Sequence, residues 1–378
     1  MPIKVLSVFG TRPEAIKMAP VVRELQRRAP RFQSVVCVTG QHREMLDQIM
    51  RSFDLAADFD LNVMQHAQSP AQVAAKVLAE LPAVLDETRP DMILVQGDTT
   101  TTCAAALASF MHRIPVGHVE AGLRTGNLEQ PFPEEMNRRV TTVVSALHFA
   151  PTRDAAAALA REGVAADRIV LAGNTVIDAL LQSVRGDYRF EDARLAALPH
   201  DARILLVTTH RRESIGEPMR QVCEAILRIK RAHPELTVVI PTHRNPAVRD
   251  IVLGTLAGEP GIVLVDPLPY LDFVHMMARS HIILTDSGGV QEEAPSLKRP
   301  VLVVREVTER PEGVTAGVAK LLGTDPQRIF DAVHRLLTDE KAYQAMVGPD
   351  NPYGDGHAAR YIVDAIDHWQ QARSLKSS

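Results

Sequence analysis

An α/β fold of two doubly wound parallel sheets is what this chain predicts, and three observations predict it. Short β-branched runs alternate with longer amphipathic stretches from one end to the other, which is the pattern of βα units around a parallel sheet. The length is 378 residues, and at roughly 150 residues per domain this points to two medium domains. The alternation breaks once, at Arg185–Asp201 (RGDYRFEDARLAALPHD), where charges and a proline place a domain boundary near 175–200.

Taken in order, the runs KVLSV at 4–8, SVVCVT at 34–39, MILV at 92–95, VGHV at 116–119, LHFA at 147–150 and RIVL at 168–171 read as the strands of the first half. Amphipathic stretches at about 14–28, 42–52, 70–87, 100–111, 134–145 and 153–162 read as the helices between them. A second series starts at RILLVT, 203–208, and continues at 237–240, 262–265, 281–284 and 301–304. Its helices fall near 218–232, 246–256, 270–279, 290–297 and 326–338. These two series give domains at 1–175 and 200–355, and a last helix at about 357–372 follows the turn-rich PDNPYGDGH. The residues alone do not say which half that helix joins.

Composition excludes several classes of function. Lys and Arg number 42 against 46 Asp and Glu, a net charge of −4, so there is no overall basic field to gather nucleic acid or an acidic membrane surface. Cys37, Cys103 and Cys223 are odd in number, widely spaced and without CxxC spacing, which excludes a disulfide framework and fits a reducing cytosol. MPIKVLSVFGTRPE holds too short an apolar run for a signal segment, and no run long enough to span a membrane occurs. A soluble cytoplasmic protein is expected. No HExxH, EF-hand loop or Cys/His cluster is present, and Asp58-Phe59-Asp60 reads as an incidental loop pair, so no metal site is expected.

The chemistry-bearing segments lie where strands end. Gly10-Thr11-Arg12-Pro13-Glu14-Ala15-Ile16-Lys17 joins the first strand to the first helix, and its N–H groups with Arg12 and Lys17 suit an anion; the alternative is a turn glycine with surface basics. Neither a GxGxxG fingerprint nor a GxxxxGK[ST] loop is present, which disfavours NAD and Walker-type ATP binding. Asp98, in QGDTTTT, lies at a strand's carboxyl end, although taken alone it reads as a helix cap. Glu120 ends the next strand, while Glu134 and Arg138 lie at i, i+4 on one helix and could form a surface ion pair. Three acids on one rim, Asp98, Glu120 and Glu134, instead suggest acid/base work. In the second half His210 follows a strand beside two arginines. The turn Ser287-Gly288-Gly289 opens a helix with unhindered N–H groups suited to a diphosphate, and Glu293 one turn on could accept from ribose hydroxyls; the alternative is a capping turn.

The segments FGTRPEAIKMAP, TGQHREMLDQ, GDTTTT, GHVEAGLRTG, FPEEMNRR, GNTVIDALL, THRRES, DSGGVQEEAPSLKRPVLVVREVTERPE, LLGTDPQRI and NPYGDG resemble, in collinear order across nearly the whole chain, the non-hydrolysing bacterial UDP-N-acetylglucosamine 2-epimerases. That resemblance implies a GT-B-like pair of Rossmann-like domains facing across a cleft, a last helix that crosses back to the N-terminal domain, and a homodimer. It implies interconversion of UDP-GlcNAc and UDP-ManNAc through UDP elimination to 2-acetamidoglucal and readdition, with no cofactor, supplying ManNAc for surface polysaccharide. Matched residue by residue, the family's catalytic set falls on Asp98, Glu120, Glu134 and His210, with Arg138 in support. Its UDP-sugar contacts fall on Arg12, Lys17, Asp98, Glu120, His210, Phe273, Ser287, Gly288, Gly289, Glu293 and Arg310. Leu268 stands where many members carry Gln, so a side-chain bond to uracil is impossible there. Counterparts of Gln41, Gln68, Arg211 and His243 bind a second, activating UDP-GlcNAc in some members, but Glu44 and Ala67 here replace polar or basic residues of regulated ones. The competing readings are a retaining GT-B glycosyltransferase, a hydrolysing epimerase and a catalytically dead UDP-sugar sensor; four acid/base candidates exceed what a sensor needs.

Overall fold

The computed structural model describes residues 2–40, 43–63, 68–209, 211 and 214–377, with only the backbone for 43–45, 376 and 377. It divides into two compact units, Met1–Ala179 with Gly354–Ser378, and Leu180–Tyr353. In the first unit β1 (Ile3–Phe9), β2 (Phe32–Val38), β3 (Phe59–Asp60), β4 (Met92–Gln96), β5 (Val116–Val119), β6 (Leu147–Ala150) and β7 (Ile169–Leu171) pair in parallel in the order β3-β2-β1-β4-β5-β6-β7. In the second, β8 (Ile204–Thr208), β9 (Thr237–Pro241), β10 (Ile262–Val265), β11 (Ile282–Thr285), β12 (Val301–Val303) and β13 (Ala319–Leu321) pair in parallel as β10-β9-β8-β11-β12-β13.

The strands are near-continuous apolar runs because helices cover both faces of a parallel sheet. Leu6, Val8, Ile93 and Val95 pack against Val77, Leu81 and Leu85 of the helix Pro70–Thr88 and against Ala104, Ala105 and Ala106 of the helix Thr100–Met111. In the second unit Leu205, Val207, Ile282 and Leu284 share a core with Val222, Ile226 and Ile229 of the helix Glu217–Ala232 and with Ile329 and Val333 of the helix Pro326–Thr338. Helix starts are set by side-chain caps. Thr11 and Glu14 form a capping box before Arg12–Arg27, Ser69 and Gln72 form one before Pro70–Thr88, and Thr99 caps Thr100–Met111.

Strand order reverses between β1 and β4 in one sheet and between β8 and β11 in the other. Neighbouring crossovers leave to opposite sides there, which opens a crevice at the strands' carboxyl ends. The crevice rims are therefore made by the segments after β1, β4 and β5, and by those after β8 and β11.

Several elements differ from the sequence expectation. Asp58-Phe59-Asp60 is not a loop pair: Phe59–Asp60 is the edge strand β3, the Asp58 carboxylate accepts from the Val36 N–H at 2.8 Å, and Asp60 accepts from the Asn62 N–H at 2.9 Å. β3 (FD) and β13 (AKL) hold no β-branched residue to mark them, unlike the equally short β7 (IVL) and β12 (VLV). The helix read over 290–297 is α-helical only over Gly288–Glu293 and tightens to a 3₁₀ turn at Ala294–Leu297, where Pro295 has no N–H to donate back along the helix. Helices at Thr175–Ser183 and Glu340–Val347 were not foreseen. The charged stretch Arg185–Asp201 lies within the second unit, where the Tyr188 ring stacks on His275 at 3.7 Å and its hydroxyl donates to Asp272 at 2.6 Å.

The last helix, Ala358–Ser377, belongs to the first unit. Its first turn is held by Asp178, which accepts from the Ala358 N–H at 3.1 Å and the Ala359 N–H at 2.9 Å. Arg28 pairs with Asp364 at 2.6 Å, and Arg31 with Asp367. Burial pushes the Asp178 carboxyl up to about 6 despite the two N–H donors. Because the folded value lies above the ordinary 3.8, the protonated form is the one the fold favours. Its stabilising contribution is complete below about pH 4 and is lost as pH rises through about 6. Urea midpoints of the wild type measured from pH 4 to 6 should carry a downward component that Asp178→Asn removes; identical pH slopes in the two proteins would refute this.

Candidate active site

The anion position expected at Gly10–Lys17 is filled from within the chain. Glu14 is buried, and one of its oxygens accepts from the Gly10 and Thr11 N–H groups at 3.1 and 2.6 Å. The other accepts from the Thr99 and Thr102 hydroxyls at 2.7 and 3.1 Å. A side-chain carboxylate thus satisfies the positive end of this helix, and these N–H groups are not free for a phosphate. Gly10 is required for packing, since a Cβ there would collide with the Thr39 hydroxyl. Arg12 is half-buried at the helix start, and Lys17, a turn further in, reaches both oxygens of Glu120 at 2.7 and 2.6 Å.

Asp98 is not the helix cap that it resembles; Thr99 fills that position. The Asp98 carboxylate is instead half-exposed and pairs with Arg138 at 2.5 Å. Its backbone carbonyl accepts from the Asn137 side chain at 3.0 Å. Burial raises the Asp98 carboxyl above its ordinary value; Arg138 and Lys17 oppose the rise, and the negative charges of Glu120 and Glu134 add to it. All five groups therefore lie within electrostatic reach of one another. The turn carrying Asp98 is braced by His118, whose Nε2 meets the Gly97 carbonyl at 2.7 Å. Burial lowers the His118 imidazole to about 3, so it stays neutral and donates there.

Glu120 takes a left-handed backbone conformation, φ 62°, which costs a non-glycine residue about 1–3 kcal/mol and marks functional turns. Gly122 follows at φ 95°, where a Cβ would strike the Ala155 carbonyl. The surface ion pair open to Glu134 and Arg138 by their helical spacing does not form. Arg138 turns to Asp98 and, at 3.5 Å, to Glu135. Glu135 is fully buried and accepts from the Thr125 N–H at 3.0 Å, the Gly126 N–H at 3.3 Å and Arg139 at 3.1 Å. Burial would raise the Glu135 carboxyl, but these donors hold it below its ordinary value. Glu134 Oε2 is left buried without a hydrogen-bond partner among the described residues.

In the second unit, Ser287, Gly288 and Gly289 follow β11, and the Ser287 side chain accepts no capping bond from the helix N–H groups. A Cβ built on Gly288 would lie 3.6 Å from the Arg211 guanidinium and 3.9 Å from that of Arg310, so both cations border the turn. The Arg211 N–H is anchored by Asp286 at 2.9 Å, and its Nε is buried without a partner among the described residues. Arg310 pairs with the buried Glu292. Glu293 lies over Gly289, its Oε1 3.4 Å from a Cβ built there. Phe273 is half-buried on the helix Tyr270–Arg279, and Leu268 half-buried in the loop before it.

His210 and Gln41 lie outside the described residues, as do Ala67 and the Glu44 side chain. Of the other second-site candidates, Gln68 donates to the Val63 carbonyl at 3.1 Å and His243 accepts from the Asn245 N–H at 3.1 Å. Among the described residues no three His, Cys, Asp or Glu side chains converge as a metal-binding group, and no helix is long and apolar enough to cross a membrane. Sequence reasoning missed Glu14, Gln96, Glu135, Asn174 and Glu292. Only Glu14, three residues after Thr11, carried a local signal, that of a capping box.

Two Rossmann-like parallel sheets in one chain define a GT-B-like α/β protein. The profile of the UDP-N-acetylglucosamine 2-epimerase family matches residues 23–367. The UDP-N-acetylglucosamine 2-epimerase of Escherichia coli K12 is 52% identical over 371 residues, covering 96% of this chain and 98% of that one. The crystal structure of the Neisseria meningitidis UDP-GlcNAc 2-epimerase bound to UDP-GlcNAc superposes with a TM-score of 0.84 at 46% identity, covering 96% of this chain and 99% of that one. That of the Methanocaldococcus jannaschii enzyme in complex with UDP-GlcNAc and UDP gives 0.75 at 31% identity, covering 97% and 100%. The chain belongs to the UDP-N-acetylglucosamine 2-epimerase family, a family of isomerases.

Proposed function

We propose that this protein interconverts UDP-GlcNAc and UDP-ManNAc without hydrolysis, by elimination and readdition of UDP. In the first step the C2–H bond breaks and its proton passes to a carboxylate. The C1–O bond breaks with its electron pair leaving on the β-phosphate of UDP, and a C1=C2 double bond forms, giving 2-acetamidoglucal. In the second step the UDP oxygen returns to C1 while a proton reaches C2 from the opposite face. Atoms and electrons balance with no net oxidation, so the chemistry calls for acid/base groups and for a stabilised leaving group.

The observation that carries this reading is the group around Asp98, Glu120 and Glu134, where two carboxylates are engaged by Arg138 and Lys17 and the third has an oxygen without a partner among the described residues. Glu134 is assigned proton transfer at C2, with Asp98 and His210 sharing the acid/base work. Lys17 and Arg138 offset the charge that collects there, and Arg12 faces the departing phosphate. In the second unit the Ser287–Gly289 turn and Arg310 receive the diphosphate, Glu293 the ribose and Phe273 the uracil side. We assign Gln41, Gln68, Arg211 and His243 to a second UDP-GlcNAc, and further propose a cytoplasmic homodimer supplying ManNAc units for bacterial surface polysaccharide.

Purified protein incubated with UDP-GlcNAc in heavy water, with excess EDTA and no added NAD, is expected to give deuterium at C2 in both epimers by NMR. Free ManNAc instead of UDP-ManNAc would favour the hydrolysing reaction. No exchange until Mg²⁺ is restored would favour a metal-dependent transferase.

A further inference from the structure

Glu120, one of the three carboxylates of the reaction proposed above, is gripped by more groups than neutralising its charge requires, since Lys17 already does that. Beyond Lys17, its Oε2 accepts from the Gln96 side-chain amide and its Oε1 from that of Asn174 at 3.3 Å. Both amides are buried, at 3% and 2% exposure, and come from elements distant in sequence. Gln96 closes β4, where its backbone carbonyl is fixed by the Thr102 hydroxyl at 2.6 Å. Asn174 precedes the helix Thr175–Ser183, and its Oδ1 accepts from the Val176 N–H at 3.1 Å. That bond settles which end of the Asn174 amide faces Glu120: the NH₂.

The division of labour between the lysine and the amides follows from their chemistry. An ammonium on a four-carbon stem neutralises a carboxylate but does not set its plane. Planar amides set direction without adding charge, most firmly where both ends are held, as in Asn174 between Val176 and Glu120. Glu120 also sits on a strained left-handed backbone, which persists only where the surroundings over-determine it. We propose that Gln96 and Asn174 are positioning residues that aim the Glu120 carboxylate, acting on the reaction through Glu120 alone; this rests on the functional reading above.

A double-mutant cycle tests it. Asn174→Ala and Gln96→Met are each expected to lower kcat for UDP-GlcNAc epimerisation by about 10–100-fold, the scale of a lost hydrogen bond to a charged group. KM and the UDP dissociation constant by calorimetry should stay within about twofold, since the two substitutions leave in place Arg12 and the second unit's Ser287–Gly289 turn, Glu293, Phe273 and Arg310, the groups assigned to UDP. In a Glu120→Gln background the same substitutions should change the residual C2 exchange by less than about twofold. A loss equally large in both backgrounds, or no loss in the Glu120 protein, overturns the proposal. Asn174→Ser keeps a neutral oxygen able to accept from the Val176 N–H and is too short to reach Glu120, so it gives the same reading should the alanine variant fold poorly. Wild-type exchange in the same assay tests the functional reading separately. A missing positioning effect in an active enzyme counts against Gln96 and Asn174 alone.

Discussion

Glu134→Gln is expected to slow turnover of UDP-GlcNAc by roughly 10²–10⁴-fold, the range for removing a positioned general acid/base. Glu134 opens the helix Glu134–Val144 with a buried oxygen that has no hydrogen-bond partner among the described residues. Arg138, which helical spacing would aim at it, is committed to Asp98 and Glu135. Among the described residues no cation therefore holds Glu134 as Arg138 holds Asp98 and Lys17 holds Glu120. The substitution keeps size and helix start, and losing a negative charge in the first turn costs only about 0.3–1 kcal/mol. A melting temperature close to wild type, an unchanged UDP dissociation constant and a collapsed kcat are the expected set. Wild-type turnover would remove Glu134 from the chemistry and shift the role to Asp98 or His210.

Arg310→Ala should weaken UDP binding by about 1.5–3 kcal/mol, roughly ten- to a hundredfold, if the guanidinium makes charge-assisted bonds to the diphosphate or uridine. The pairing with Glu292 complicates the experiment. The Glu292 side chain is 5% exposed, so removing its partner leaves a buried charge uncompensated and lowers stability as well. Glu292→Gln in the same protein removes that charge. The double variant should recover most of the melting temperature but none of the UDP affinity. Calorimetry giving the wild-type dissociation constant for either variant would take Arg310 out of the nucleotide site, whereas affinity restored in the double variant would show that the single loss came from the stranded carboxylate.

The order of strands and helices was legible because each long element carries its own period. The MILV of β4 and the alanine-rich stretch after it bury themselves whatever lies elsewhere in the chain. The rim positions of Asp98, Glu120 and Ser287–Gly289 followed from that order, since residues after a parallel strand can only emerge at its carboxyl end. The two-residue β3 and three-residue β13 were illegible because pairing with a neighbour, and not composition, makes them strands. The Asp98 cap reading was reasonable locally and failed by one position, because Thr99 satisfies the helix and frees the carboxylate.

Charge pairing was decided elsewhere. Helical spacing offered Glu134 to Arg138, worth a few tenths of a kcal/mol on a surface. Arg138 instead meets Asp98, 40 residues earlier in the chain, and Lys17 meets Glu120 across 103 residues. The segment after β1 suggested an outside anion, yet Glu14 fills the position and ties it to Thr99 and Thr102, more than 80 residues away. Hydrophobic period and turn chemistry are local, so they can be read along a chain. Which donor a buried carboxylate finds depends on which strands become neighbours, and that is settled only when the sheet assembles and desolvation makes an unpaired charge expensive.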